Sequence, residues 1–267
     1  MINIRRWAWV FLWGLVLTGC GTPVGKPMGG PVKPFLIYYG WIPASPAARR
    51  ELAGEMAGYP VVVLGGGLEW SRNPDHGAAL SLIHGVRGTR FIGYVDIGMT
   101  HGQPHHSLAA VRKALTGWRA MGVQGILLDC AGPDYGVSSD RLRAAVAWAH
   151  RQHLSVLVNA FDPRAVLNVG LRSGDGWLAE NWVISAGVPD AATQGFSWTS
   201  LPLLRKRGIA VWMTATDNQA PGEKWVRQWV PKTVNRVKGS WIAVSGPQYS
   251  AVSNAVVPAE WIRQSLP

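Results

Sequence analysis

The sequence predicts a single (β/α)₈ barrel, the TIM-barrel architecture of the α/β class, on three observations. Short apolar, β-branched runs alternate with amphipathic stretches of helical period from Phe35 onward. The runs are nearly continuous in apolar character, as in Val61-Val62-Val63-Leu64 and Ile126-Leu127-Leu128, which suits parallel strands buried on both faces. Eight such units fit in about 230 residues, close to the ~250 that one such barrel needs. A doubly wound open sheet is the alternative. It would leave a strand or two unplaced, and Gly65-Gly66-Gly67 lacks the G-x-G-x-x-G spacing of a dinucleotide site, so no cofactor is expected.

The eight predicted strands are Phe35–Gly40, Pro60–Gly66, Arg90–Gly98, Gln124–Cys130, Leu154–Ala160, Asp175–Trp182, Gly208–Thr216 and Trp241–Gly246. The helices are plainest at Leu108–Met121, Ser139–Gln152 and Glu223–Val237. In the second of these, Leu142, Val146 and Ala149 recur at helical spacing, with Ser138 or Ser139 as cap. Gly122, Gly208 and Gly239 fall at or near helix ends, where a left-handed residue is wanted.

The first 34 residues read differently. Arg5 and Arg6 precede an apolar stretch, Trp7 to Leu17, too short to span a bilayer, and Leu17-Thr18-Gly19-Cys20 has the form of a lipobox. Residues 1–19 are therefore expected to be a lipoprotein signal, with Cys20 diacylated and 20–34 a Gly/Pro-rich tether reaching about 20 Å. The barrel domain is 35–267. That layout predicts an exported protein, anchored by lipid to the outer face of a bacterial cell membrane. Cys130 would then be the one remaining cysteine, without an internal disulfide partner.

The chain carries 26 basic and 15 acidic residues, a formal charge of +11. Loss of Arg5 and Arg6 with the signal leaves 24 against 15, or +9, which favours anionic surroundings. No nucleic-acid motif or dense Lys/Arg run is present, so nucleic acid is not an expected partner. A monomer is the default.

Active sites of such barrels gather at the C-terminal ends of the strands. That rule selects Tyr38, Tyr39 and Trp41 after strand one, Asp96 after three, Asp129 after four, and Asn159 and Asp162 after five. Glu180 and Asn181 follow strand six, and Thr214 and Asp217 follow strand seven. Asp129 and Glu180 each close an apolar strand, where a carboxylate needs a partner or a task. Two such acids in one cleft suit glycoside hydrolysis, one protonated and one charged. Tyr39, Trp41, Asp96, Asn159, Trp212 and Asp217 are the candidate substrate contacts. Fifteen tryptophans strengthen the sugar reading, with Trp41, Trp70, Trp177, Trp182 and Trp212 near strand ends, while Trp118, Trp148, Trp225 and Trp229 are assigned to packing. His101, His105 and His106 cluster in one loop without a second ligand group, so a solvated loop is expected there and no metal. Cys130, adjacent to Asp129 on a strand, should face outward.

Together, Tyr38-Tyr39-Gly40-Trp41, Gly93-Tyr94-Val95, Gly122 to Asp129, Val156-Leu157-Val158-Asn159 and Ala179-Glu180-Asn181 resemble the spherulation-specific (spherulin-4-like) family. That family is similar to the barrel of glycoside hydrolase family 114, the endo-α-1,4-polygalactosaminidases. The resemblance covers roughly Phe35 to Asn181. It implies an endo-acting hydrolase of amino-sugar polymers with Asp129 and Glu180 as the catalytic pair, Asp129 as nucleophile and Glu180 as acid/base, the roles open to exchange. Three features depart from the pattern. Cys130 stands where the family usually has Glu, Asn159-Ala160-Phe161-Asp162-Pro163 replaces an Asn-Pro-Gly element, and Gly65-Gly66-Gly67 replaces an Asn-Pro element. The positive charge also disfavours a cationic deacetylated polymer. A non-catalytic glycan-binding lipoprotein on the same barrel is the alternative.

Overall fold

Closure of the sheet depends on one short segment that pairs on both sides. The computed structural model describes residues 30–189 and 200–267. The signal and lipidation reading, including Cys20, therefore falls outside the described residues. Eight parallel strands run in sequence order around the barrel: β1 Leu36–Tyr38, β2 Val61–Leu64, β3 Arg90–Asp96, β4 Gly125–Asp129, β5 Ser155–Val158, β6 Gly176–Ala179, β7 Ala210–Thr216 and β8 Trp241–Ser245. Lys33–Pro34, just ahead of β1, pairs with Trp241 and Ile242 of β8, while β1 pairs with β2. The Phe35 N–H, between the two, donates to the Ile242 carbonyl at 3.0 Å. The predicted (β/α)₈ barrel is what the chain forms, each predicted run containing one strand.

The helices are α1 Pro46–Ala57, α2 His76–Gly85, α3 Leu108–Ala120, α4 Ser139–Arg151, α5 Ser200–Lys206, α6 Glu223–Val237 and α7 Ala259–Gln264. Ser45, Ser107 and Ser138 cap α1, α3 and α4, each hydroxyl accepting from a backbone N–H three residues on. Gly122 and Gly208 adopt the expected left-handed conformation. Gly239 does not. Lys238 takes the left-handed cap of α6, and Gly239 is needed for close approach, since a Cβ there would lie 2.7 Å from the Val211 carbonyl oxygen.

Two apolar layers follow from strand alternation. One lies between strands and helices. The other fills the barrel with Phe35, Ile37, Val61, Val63, Ile92, Leu127, Leu157, Leu178, Trp212 and Ala243. Side chains two positions apart share a face. Hence Tyr94, Asp129, Asn159 and Glu180, each two residues beyond an interior residue (Ile92, Leu127, Leu157, Leu178), converge above that plug. Gly93 fixes the tip of β3. A Cβ there would meet the Trp118 ring at 2.3 Å, and the bare glycine lets Trp118 lie against the strand and donate to the Tyr94 carbonyl at 2.9 Å.

Candidate active site

Asp129 and Glu180 face each other, and one side chain joins them. Asn159 Nδ2 donates one hydrogen to Asp129 Oδ1 at 2.7 Å and the other to Glu180 Oε2 at 2.5 Å. The two carboxylate oxygens are thus closer than the sum of those bonds. That upper bound is compatible with the about 5–5.5 Å of a retaining glycosidase pair and shorter than the about 6.5–9.5 Å of an inverting one. The Tyr94 hydroxyl donates to Asp129 Oδ2 at 2.7 Å, and the Tyr249 hydroxyl to Glu180 Oε1 at 2.7 Å. Thr214 Oγ1 lies 3.1 Å from the Tyr249 oxygen and also accepts the Asn181 N–H. Among the described residues, no Lys or Arg pairs with either acid.

The electrostatics act on Glu180. Burial, and then the charge of Asp129, hold the Glu180 carboxyl above the usual carboxylate range, against the opposing bonds from Tyr249 and Asn159. Burial, followed by the nearby carboxylates, keeps the Tyr94 and Tyr249 hydroxyls protonated and so able to donate. Tyr39, half-buried, sets its ring edge-on to Tyr94 and Tyr249 at 5.4 and 5.6 Å, and its hydroxyl is likewise pushed up by burial and then by Asp129. A pocket of about 320 Å³ opens from Glu180 and Asn159, walled by Tyr135, Phe161, Trp182 and Leu178.

Other predicted contacts lie elsewhere. Trp41 is 70% exposed on the rim, its backbone N–H donating to Asn254 Oδ1. Asp96 is paired in register with Asp129 but turns to its own loop, accepting from Gly98 N–H and pairing with His105, whose other ring nitrogen meets Thr100. Trp212 is a correction. It sits low in the barrel, stacked on Trp241 and edge-on to Phe35, because it is the third of seven residues in β7 and not at its tip. Asp217 is another. It is buried against Gly187 under the hairpin formed by residues 184–189 and accepts the Asn218 N–H. Asp162 caps a short 3₁₀ turn and pairs with Arg164. Trp177 is buried with its N–H on the Ala160 carbonyl.

Cys130 contradicts the outward placement. Its φ of +50° breaks strand alternation, and its thiol lies 3.7 Å from Asp129 Oδ2. Burial and then Asp129 push that thiol up, so it is held as a neutral donor rather than a thiolate nucleophile. Tyr249 is the residue that strand-end reasoning passed over. It follows β8 in the turn Pro247–Ser250, where Gln248, Tyr249 and Ser250 all have positive φ, an uncommon run for non-glycine residues. Among the described residues no group of three His, Cys, Asp or Glu is placed to hold a metal ion.

No family model matches the chain, and no curated protein is similar enough in sequence to count as a relative. Solved structures do match. One is an AP endonuclease, family 2, from Brucella melitensis, at 10% identity and TM-score 0.51, covering 88% of this chain and all (100%) of that one. Another is an uncharacterized protein from Parabacteroides distasonis, at 12% identity and TM-score 0.51, covering 88% and 96%. A third is the N-acetylmannosamine-6-phosphate 2-epimerase of Clostridium perfringens, at 14% identity and TM-score 0.47, covering 82% and 87%. At such identities the likeness shows the fold alone, an α/β barrel.

Proposed function

We propose that this protein is a retaining, endo-acting glycoside hydrolase of a cell-surface polysaccharide, tethered to the membrane by lipid on Cys20. One observation carries the catalytic part: a single Asn159 amide donates to both Asp129 and Glu180, which keeps the two acids too close for the separation of an inverting pair. Glu180, whose burial favours the protonated form, gives its proton to the glycosidic oxygen as the bond to the anomeric carbon breaks, and an Asp129 oxygen bonds that carbon from the other face. Glu180, now ionised, takes a proton from water, whose oxygen displaces Asp129. Tyr135, Phe161 and Trp182 offer the apolar wall for the sugar. The spherulin-4-like resemblance points to amino-sugar polymers, and the net charge favours N-acetylated over cationic deacetylated ones.

Reducing-sugar release from acetylated, deacetylated and uronate polymers tests this reading. Glu180→Gln should lower release at least about a hundredfold and spare binding, while unchanged turnover would remove Glu180 from the mechanism. The non-catalytic alternative is favoured by Cys130, which stands at the position of the family's usual Glu and leans on Asp129. Affinity for a polymer without any release of reducing ends would support it.

A further inference from the structure

A cleft on the flank of the barrel, between α2 and α3, meets the site described above only through Tyr94, which lines its inner end. Its outer chamber, about 990 Å³, is lined by Trp70, Arg72, His76, Lys113, Thr116 and Trp148 among others. An inner chamber of about 390 Å³ runs on to Gly66, Tyr94 and Asp96. Glu69, Trp70, His106 and Ala110 line both, so the two chambers adjoin across these residues. Each is within the about 300–1,000 Å³ typical of small-molecule sites.

Glu69 stands at the junction. It is 8% exposed, and its Oε2 is buried without a hydrogen-bond partner. Burial pushes its carboxyl up, against the backbone N–H groups of Glu69 and Gly67. Space for it comes from Gly117 of α3, where a Cβ would lie 3.1 Å from the Glu69 carbonyl oxygen and 3.2 Å from its Cβ. A buried acceptor left open costs stability, and a ligand donor would satisfy it. His76 is already engaged with the Leu68 carbonyl. The mouth is cationic: Arg72 and Lys113 are exposed there, with Lys113 Nζ 5.6 Å from the Trp70 ring centre and Arg112 3.3 Å from that of Trp148.

We propose that this cleft is a second saccharide site, for a short oligosaccharide carrying carboxylates. Glu69 Oε2 takes a sugar hydroxyl, Arg72 and Lys113 take a uronate carboxylate, and the Trp70 ring packs against a sugar face. Neutral sugars satisfy Glu69 but not the cations, and ammonium sugars meet repulsion at the mouth. Binding here does not depend on the hydrolase reading, so Asp129→Asn should leave it intact.

Calorimetric titration with trigalacturonate, tri-N-acetylglucosamine and triglucosamine tests the assignment. The uronate trimer should bind at least tenfold more tightly than either other trimer, and added salt should weaken it. Glu69→Leu and the surface pair Arg72→Glu/Lys113→Glu should each lose at least tenfold, with Glu69→Leu unfolding no earlier than the wild type. Equal affinity for the three trimers, no uronate binding, or uronate binding untouched by the surface pair would overturn the proposal. So would a Glu69→Leu variant that unfolds earlier yet binds normally, which would make the carboxyl structural.

Discussion

Buried carboxylates occur at both ends of this barrel, and their surroundings are opposite. At the N-terminal end, Asp175 is 1% exposed and fully engaged. Val156 N–H donates to Oδ1, Arg172 N–H to Oδ2, and His150 Nε2 lies 2.9 Å from Oδ2. At the C-terminal end, Asp129 and Glu180 share one amide, lean on neutral hydroxyls and face each other. The lower acid joins β5, α4 and the turn before β6. The upper two are held apart from any compensating cation among the described residues, which favours a proton on one of them. Burial of a carboxyl therefore says little by itself. What donates to it decides whether it stabilises the fold or is kept for chemistry.

The largest effect expected is on catalysis. Glu180→Gln should lower turnover by about 10²–10⁴-fold, the usual contribution of a general acid/base, measured as reducing-end release. Next comes stability at the lower end. Asp175→Ala leaves two backbone N–H groups and His150 without their acceptor and should cost about 3–5 kcal/mol in denaturant unfolding. A cost under about 1 kcal/mol would place Asp175 among the ordinary surface acids. Tyr249→Phe is smaller. Losing one bond to the Glu180 carboxyl should slow turnover about 10- to 150-fold, equivalent to about 1.5–3 kcal/mol. That bond lowers the Glu180 pKa, so its loss raises it, and the alkaline limb of the pH–rate profile should move to higher pH. The smallest is Arg143→Ala, which breaks an exposed i,i+3 pair with Asp140 and should change stability by less than about 1 kcal/mol.

Much of this was legible in the residues because parallel strands read as unbroken apolar runs, and the strand-end rule then picks out Asp129, Asn159 and Glu180. Period-two alternation explains why they meet. It fails where the backbone leaves the strand conformation. Cys130 turns inward at positive φ, and Tyr249 arrives from a left-handed turn after β8 that no local signal announces. Trp212 and Asp217 lie away from the acid pair for a related reason: β7 is seven residues long, so its third residue lies deep in the plug and the residue after its end lies beneath a hairpin. Tyr94 sat within a recognised motif, but its role depends on the register that pairs Tyr94 with Leu127 and Asp96 with Asp129.

Thermal unfolding of Glu180→Gln beside Asp175→Asn at neutral pH tests the central contrast without a substrate. Glu180 has a raised pKa in the fold, so the unfolded chain binds fewer protons between the two pKa values, and stability falls as pH rises through that window. Removing the ionisable group should therefore raise Tm at pH 7, whereas Asp175→Asn should lower it, since one amide oxygen cannot accept for three donors. Two variants that both lose several degrees would contradict the account.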